Sequence, residues 1–286
     1  MNVLYVTDLH GDKQKYEASL KLAVNKEIKL IVNGGDMLPK LCDRHKEQPR
    51  FIDVYLRDYF IRLKEQGITY LCILGNDDLK AIDPLFNEFC DAFDHVHQIN
   101  DKKIAIGDYE FIGMDSILDH PFGCKDRVVM EDNYIFQDQL SRAIGVSNEI
   151  GYDRIYDWHH YAKTELPRME HILSTLPKSN DSKKAIYVMH MPPAYLKLGQ
   201  LWHQDLDIGS IAIHEFIKEE QPLLTLHGHI HEAPDTETGK WINQINQTTC
   251  IQSGQTELNE SHFIYVELDL KNQIYTREKE YLLGEA

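Results

Sequence analysis

Five short polar motifs stand in one order along the chain, and each follows an apolar run that reads as a buried strand. They are Asp8-Leu9-His10 after VLYV, Gly35-Asp36 after KLIVN, Gly75-Asn76-Asp77-Asp78 after YLCIL, His190 after AIYVM, and Gly228-His229-Ile230-His231 after LLTL. Short Val-, Ile- and Leu-rich runs of this kind suit strands covered on both faces, as in a parallel sheet. Metal-capable groups at the ends of such strands are what a site at the edge of an α/β sheet requires. A fold for this chain has to bring those five strand ends together.

The rest of the pattern agrees. From residue 2 to about 113, strand and helix patterns alternate, with helical stretches expected near 13–26, 49–66 and 79–92. KIAI at 103–106 and YEFIGM at 109–114 flank Gly107-Asp108, which reads as a hairpin turn. Such alternation marks βαβ units and a largely parallel sheet. Residues from about 115 to 165 break the rhythm. They are rich in aromatics and charge (Phe122, Tyr134, Phe136, Tyr152, Trp158, His159) and have weak periodicity. An insertion over the sheet is expected there, acting as a lid or specificity wall, with the rings around Trp158 and Phe122 either enclosing a leaving group or packing the insertion onto the sheet. Helical patterning returns at 165–176, then the strand AIYVM, then a helix near 210–220 with Asp207 or Ser210 as its N-cap. The last 45 residues hold only strand-like runs. Two sheets packed face to face with helices outside are expected. With no internal repeat or Pro/Gly/Ser linker, one domain over 1–286 is the expected organisation.

A length of 286 residues allows a substantial core. The net charge of −16 argues against a nucleic-acid duplex as partner, because backbone binding needs clustered Lys and Arg. A small phosphorylated substrate remains compatible, since bound dications reverse the local field. Cys42, Cys72, Cys90, Cys124 and Cys250 are odd in number and form no CxxC pair, which fits reduced thiols. The chain opens on a strand without a basic, apolar leader, and no apolar run approaches the ~20 residues that span a bilayer. A cytoplasmic protein without membrane attachment is expected. Nothing in the sequence marks the oligomeric state.

Residue by residue, Asp8 and His10 are two apart, so in an extended strand both would point one way and one metal could take both. Asp36 follows two glycines, where the backbone can turn and be approached closely. By itself it would serve equally as a turn residue or a helix cap. Asn76 offers an uncharged amide oxygen. With Asp8 and Asp36 as the only carboxylates, two dications would keep about two positive charges to hold a phosphate. His229 and His231 repeat the spacing of two after Gly228. His95-Val96-His97 has the same spacing but no glycine turn, and is expected to be a solvated edge. His45, His171, His214 and His262 read as surface or satisfied histidines.

Taken together, D-x-H, GD, GN-x-D, H and GH-x-H in this order resemble the calcineurin-like metallophosphoesterase superfamily, across roughly residues 2–255. The resemblance implies an α/β fold, a four-layer αββα sandwich, and a dinuclear centre. One ion would be held by Asp8, His10 and His231, the other by Asn76, His190 and His229, with Asp36 bridging. The nitrogen- and oxygen-only shell suits Mn, Fe, Zn, Ni or Co. Two ions ~3.5–4 Å apart can activate a bridging hydroxide for attack on a phosphodiester or phosphomonoester.

One position departs from the pattern. Most active members carry histidine directly after the asparagine, where it is thought to protonate the leaving oxygen. Here that residue is Asp77, and an ordinary aspartate, with a pKa of ~3.9, is a poor acid at neutral pH. Asp77 and Asp78 are therefore the candidate catalytic pair, with Asp78 expected to brace the loop. His120 and His159 in the insertion are further candidate proton donors. Gln252-Ser253-Gly254-Gln255 resembles the turn that closes the family site. Loss of the histidine also admits a catalytically weak relative that serves as a binding or scaffold protein.

Overall fold

A computed structural model describes residues 1–40, 43–132, 138–141, 143–202, 206–256 and 262–282. In chain order its elements are β1 (Asn2–Val6), α1 (Lys13–Asn25), β2 (Leu30–Asn33), α2 (Arg44–Arg50), α3 (Arg57–Glu65), β3 (Thr69–Cys72), α4 (Asp83–Asp91) and β4 (Val96–Gln98). A hairpin of β5 (Lys103–Ile106) and β6 (Tyr109–Met114) follows, then the short strands β7 (Ile117–Leu118) and β8 (Val128–Val129). Next come β9 (Gly145–Asn148), β10 (Gly151–Arg154), α5 (Trp158–Thr164) and α6 (Met169–Thr175). The chain continues through β11 (Ala185–Met189), α7 (Ile211–Glu220), β12 (Leu224–His227), β13 (Ile242–Ile245), β14 (Thr248–Gln252), β15 (His262–Asp269) and β16 (Ile274–Tyr281).

Two six-stranded sheets form, in the orders β16-β15-β1-β2-β3-β4 and β13-β14-β12-β11-β6-β5. Four consecutive strands in each are parallel, β1 to β4 in one and β6, β11, β12 and β14 in the other. The remaining strands add antiparallel edges. Alternation along each strand then separates the layers. Val3 and Tyr5 of β1, with Ile186 and Val188 of β11, lie in one apolar cluster between the sheets. Leu4 and Val6 pack with Tyr16, Tyr59 and Phe60 under α1 and α3. Tyr187 and Met189 pack with Leu173, Ile213 and Ile217 under α6 and α7. Three apolar seams between four layers make the αββα sandwich. Each fully buried aliphatic or aromatic side chain in them contributes about 1.5–3 kcal/mol.

Local chemistry sets the element ends. Asp12 caps α1 by accepting from the amides of Gln14 and Lys15. Ser210, not Asp207, caps α7 by accepting from Ile213 N at 3.1 Å. Asp207 instead accepts from Lys197 N and Gly209 N in the preceding loop. The helix expected over 49–66 starts earlier, at Arg44, and is not uniform. Pro49, which has no amide N–H, lies inside α2, and a π turn over Phe51–Leu56 joins α2 to α3.

The 115–165 segment packs β7, β8 and α5 onto the second sheet, whereas its β9–β10 hairpin reaches the first half of the chain, with His45 Nε2 donating to Asn148 O (3.1 Å) and Ala81 N to Ser147 Oγ (3.0 Å). Its Tyr134 and Phe136 lie outside the described residues. Trp158 is buried core rather than a wall of the site: its Nε1 donates to Asp119 Oδ2 at 2.8 Å, and Lys125 Nζ lies 4.6 Å from its ring centroid. Trp158→Ala should therefore cost about 3–5 kcal/mol in denaturant unfolding and leave the KM ratio between bulky and small esters unchanged. A changed ratio at undiminished stability would put the indole against substrate instead.

Among the described residues no helix is long and apolar enough to cross a membrane. Cys72, Cys90 and Cys250 are buried free thiols and Cys124 is half-buried and free; Cys42 lies outside the described residues.

Candidate metal centre

The strand-end segments do not continue as strands. Asp8 (φ 56°), His10 (φ 46°), Asp36 (φ 50°) and His229 (φ 69°) all take the left-handed backbone conformation. Asp8 and His10 therefore do not share a face of an extended strand, as their spacing suggested. The segment after β1 is instead laced to the one after β2, with Asp8 N donating to Gly35 O (2.9 Å) and His10 N to Asp36 O (2.8 Å). Left-handed non-glycine residues cost on the order of 1–3 kcal/mol each and persist where the surroundings hold them. Glycines make room beside them. A Cβ on Gly75 would lie 2.2 Å from Asp36 Oδ1, and one on Gly35 would lie 2.6 Å from His190 Nδ1.

These turns bring the predicted side chains to one place. Asp8, His10, Asp36 and His231 form a candidate metal site, each offering a ligand atom within 4.8 Å of the others. His10 Nε2 lies 3.1 Å from His231 Nε2, and His231 Nε2 lies 3.3 Å from Asp8 Oδ1. Asp36 Oδ2 stands 3.9 Å from His10 Nε2 and 3.5 Å from His190 Nε2. His190 Nε2 is also 3.2 Å from Asn76 Oδ1. The His229 ring lies 5.3 Å from that of His190, centroid to centroid, and its Nε2 is buried without a hydrogen-bond partner among the described residues.

The donor chemistry fits cations. His190 Nδ1 donates to Gly34 O at 2.8 Å, so in the neutral ring the Nε2 lone pair faces the oxygens of Asn76 and Asp36. A carbonyl behind the ring that fixes the imidazole tautomer this way is the usual partner of a metal-bound histidine. Acceptors facing acceptors repel unless a proton or a cation lies between them.

The protein's own charges show the same tension. Burial alone would lower the pKa of His190, yet the Asp36 carboxylate beside it holds it up at about 9. Asp36 is held well below the carboxylate range: burial raises it, and the charges of His190 and His10 outweigh that. Burial pushes His10 down to about 3 and His229 well below the ordinary imidazole value.

Asp77 and Asp78 diverge in role. Asp78 points away from the centre and accepts from the amides of Met37 (3.0 Å), Leu38 (2.8 Å) and Gly75 (2.9 Å), so it ties the β2 and β3 turns together. Asp77 donates its amide to Asp36 Oδ1 (2.7 Å) and directs its carboxylate to the rim, 3.9 Å from His10 Nδ1 and 3.2 Å from Arg44 Nη1. Burial, then Asp36, raises Asp77 to about 6, and the same two causes raise Asp78 to about 7. His120 is buried with its ring 4.7 Å from that of His229, and its Nε2 has no partner among the described residues. His159 lies exposed on α5. The 252–255 turn closes the site from below, with Gln252 Nε2 donating to Gly228 O and Gln255 N to His231 O (3.1 Å).

Three supporting residues escaped the sequence reading. Buried Arg127 donates from Nε to Gly75 O at 2.8 Å while its guanidinium pairs with Asp83 and Asp115. Lys125 Nζ donates to His120 O (2.5 Å) and pairs with Asp119 (2.6 Å). His227 donates to the carbonyls of Met189 and Met191 and accepts from Thr225 Oγ1 (2.8 Å), locking the end of β12. The sequence carries no local signal for the first two. His227 ends an apolar run that left it no distinct pattern. Of the histidines set aside, His95 Nε2 donates to Phe60 O (2.8 Å), and His45 and His214 bond backbone carbonyls.

The model of the calcineurin-like phosphoesterase family matches residues 1–233. The chain belongs to that family. No sequence among the curated proteins compared matches it. One crystal structure aligns with a TM-score of 0.63 at 16% identity, covering 98% of this chain and 99% of the other. The TT1561 protein of Thermus thermophilus aligns at 0.55 and 15% identity, covering 97% of each chain. A dimetal phosphatase from Danio rerio aligns at 0.50 and 8% identity, covering 98% of this chain and 96% of its own. These likenesses establish a shared fold.

Proposed function

We propose that the chain is a two-metal phosphoester hydrolase acting on a small phosphorylated substrate. The observation that carries this reading is the convergence of buried, mutually facing acceptor atoms, including Nε2 of His229, which has no partner among the described residues. In this reading Asp8, His10 and His231 hold one ion, Asn76, His190 and His229 hold the other, and Asp36 binds both. Two divalent ions of the Mn, Fe, Zn, Ni or Co group would neutralise phosphoryl oxygens and make water nucleophilic at neutral pH. The chain's own residues supply position. Gly34 O orients His190, Asp8 accepts from His229 N at 3.2 Å, and Asp78 and Arg127 fix the turn that carries Asn76. The name of the Danio rerio structure, a dimetal phosphatase, is in line with this assignment. The acidic surface directs the reading to a small ester rather than a nucleic-acid duplex.

The second reading, a metal-holding scaffold of weak activity, draws on Asp77 standing where the family usually has histidine. Turnover of bis(p-nitrophenyl) phosphate with Mn²⁺, together with metal analysis, separates the two. The hydrolase reading expects about two metals per chain and activity that a chelator removes and Mn²⁺ restores. Stoichiometric metal without turnover of any chromogenic ester would favour the scaffold.

Phe122 stands at the open side of the centre, half exposed, with its ring 6.4 Å from that of His229 and 5.7 Å from that of His120. Phe122→Ala should raise KM for aromatic esters about three- to tenfold, the worth of one lost ring contact, and leave methyl esters unchanged. Equal effects on both ester types would take Phe122 out of substrate contact.

A further inference from the structure

Beside the centre lies an open cavity of about 380 Å³, lined by the β9–β10 hairpin, the Gly123–Cys124 segment and the first residue of α2. The volume is within the ~300–1,000 Å³ of small-molecule sites. Arg44, Arg154 and Tyr152 line it together with Cys124 and Ile144, and among the described residues no Asp or Glu does. Two guanidinium groups line this hollow in a chain of net charge −16, one of them, Arg44, already paired through Nη1 with Asp77 at 3.2 Å.

The cavity is one side chain away from the metal ligands. Asp77 has one carboxylate oxygen 3.9 Å from His10 Nδ1 and the other 3.2 Å from Arg44 Nη1. On the opposite side, the same short loop carries His120 against His229 and Cys124 into the cavity wall. Arg44 is held in place through Nε, which donates to Lys40 O at 3.2 Å, and among the described residues its Nη2 makes no hydrogen bond. Tyr152 is fixed edge-on against His45 at 5.0 Å, and Arg154 lies 5.3 Å from the Tyr156 ring centroid.

We propose that this cavity is a second anion subsite, so that the ester cleaved at the metal centre carries a further phosphate group held by Arg44 and Arg154. The proposal rests on the hydrolase reading above and adds the substrate class to it. A guanidinium fork matches phosphate geometry and binds it through charge-assisted hydrogen bonds. A phosphate presents enough oxygens to accept from Arg154 and from Arg44 Nη2 while Arg44 Nη1 stays paired with Asp77. The insertion, which supplies the hairpin wall, then selects for doubly phosphorylated substrates.

The test compares thymidine 5′-(p-nitrophenyl phosphate) with the same ester bearing a 3′-phosphate. In the native chain the 3′-phosphorylated ester should show kcat/KM about tenfold higher or more, the worth of one or two hydrogen bonds to a charged group. Arg154→Gln, at an exposed position, should bring that ratio close to one with an unchanged thermal midpoint. Equal kcat/KM for the two esters in the native chain, or an undiminished ratio in Arg154→Gln, overturns the proposal. Should neither ester be cleaved with any divalent metal, binding of inorganic phosphate to the chelator-treated full chain decides the matter. Weaker binding in Arg154→Gln then sustains the subsite while the hydrolase reading falls, and identical binding overturns the subsite as well.

Discussion

Asp36→Asn should remove turnover and lower bound metal from about two ions per chain to one or fewer, while the fold survives. Among the described residues Asp36 is the one carboxylate that faces both halves of the cluster, 3.9 Å from His10 Nε2 and 3.5 Å from His190 Nε2. An amide keeps a single weak acceptor and loses the charge that both ions would share in the proposed centre. Groups that merely orient metal ligands are worth about 10–100-fold in activity, so loss of a shared ligand should exceed about 100-fold. Asparagine tolerates the left-handed φ of 50° at this position, so the turn itself is not strained by the change. Metal content by elemental analysis and kcat on bis(p-nitrophenyl) phosphate check both parts. His97→Ala, on the edge strand β4 away from the cluster, is the matched control and should alter neither. Full turnover with two metals retained in Asp36→Asn would end the bridging assignment.

That prediction was open from the sequence because strand ends are legible. AIYVM became β11 over the same five residues, and the KIAI and YEFIGM runs became the β5–β6 hairpin at their expected bounds. Period-two alternation within short apolar runs decides which side chains enter the inter-sheet seam, and it needs no long-range information. The helix through Pro49 was less legible. A missing amide can end a helix or be absorbed by a π turn, and packing of Phe51, Ile52 and Leu56 under the first sheet, not propensity, decides between them.

The site shows the same division. Which side chains cluster could be read, since D-x-H and G-H-x-H carry metal-capable donor atoms. Their direction could not, because a spacing of two in an extended strand and a pair of left-handed turns look alike in sequence. Supports such as Arg127 on Gly75 O and Lys125 on His120 O join residues far apart or lie in a segment without periodicity. Only the closed fold makes them neighbours. Trp158 shows a choice that the sequence left open: an aromatic there could wall the substrate or pack its segment onto the sheet, and the ring is buried core.

Nitrophenyl esters should be cleaved far faster than alkyl esters by the native chain. A general acid typically contributes about 10²–10⁴-fold, and its worth grows with the basicity of the leaving oxygen. Two titratable side chains beside the cluster, Asp77 and His120, are poorly charged with protons at neutral pH. Burial and Asp36 raise Asp77 only to about 6, and burial with nearby Lys125 pushes His120 down to about 4. Asp77→His should narrow the gap, since an imidazole at the rim can donate where the carboxylate cannot. The gain should fall short of the full range, because Arg44, 3.2 Å from Asp77 in the native chain, would lose its partner and disfavour the protonated imidazole. Combining Asp77→His with Arg44→Gln relieves that repulsion. The double variant should therefore favour alkyl esters more than the two single changes predict by addition. Single-turnover rates for a matched pair of nitrophenyl and alkyl diesters measure this directly. Similar chemical-step rates for the two esters in the native chain would mean that a proton donor already stands at the leaving oxygen.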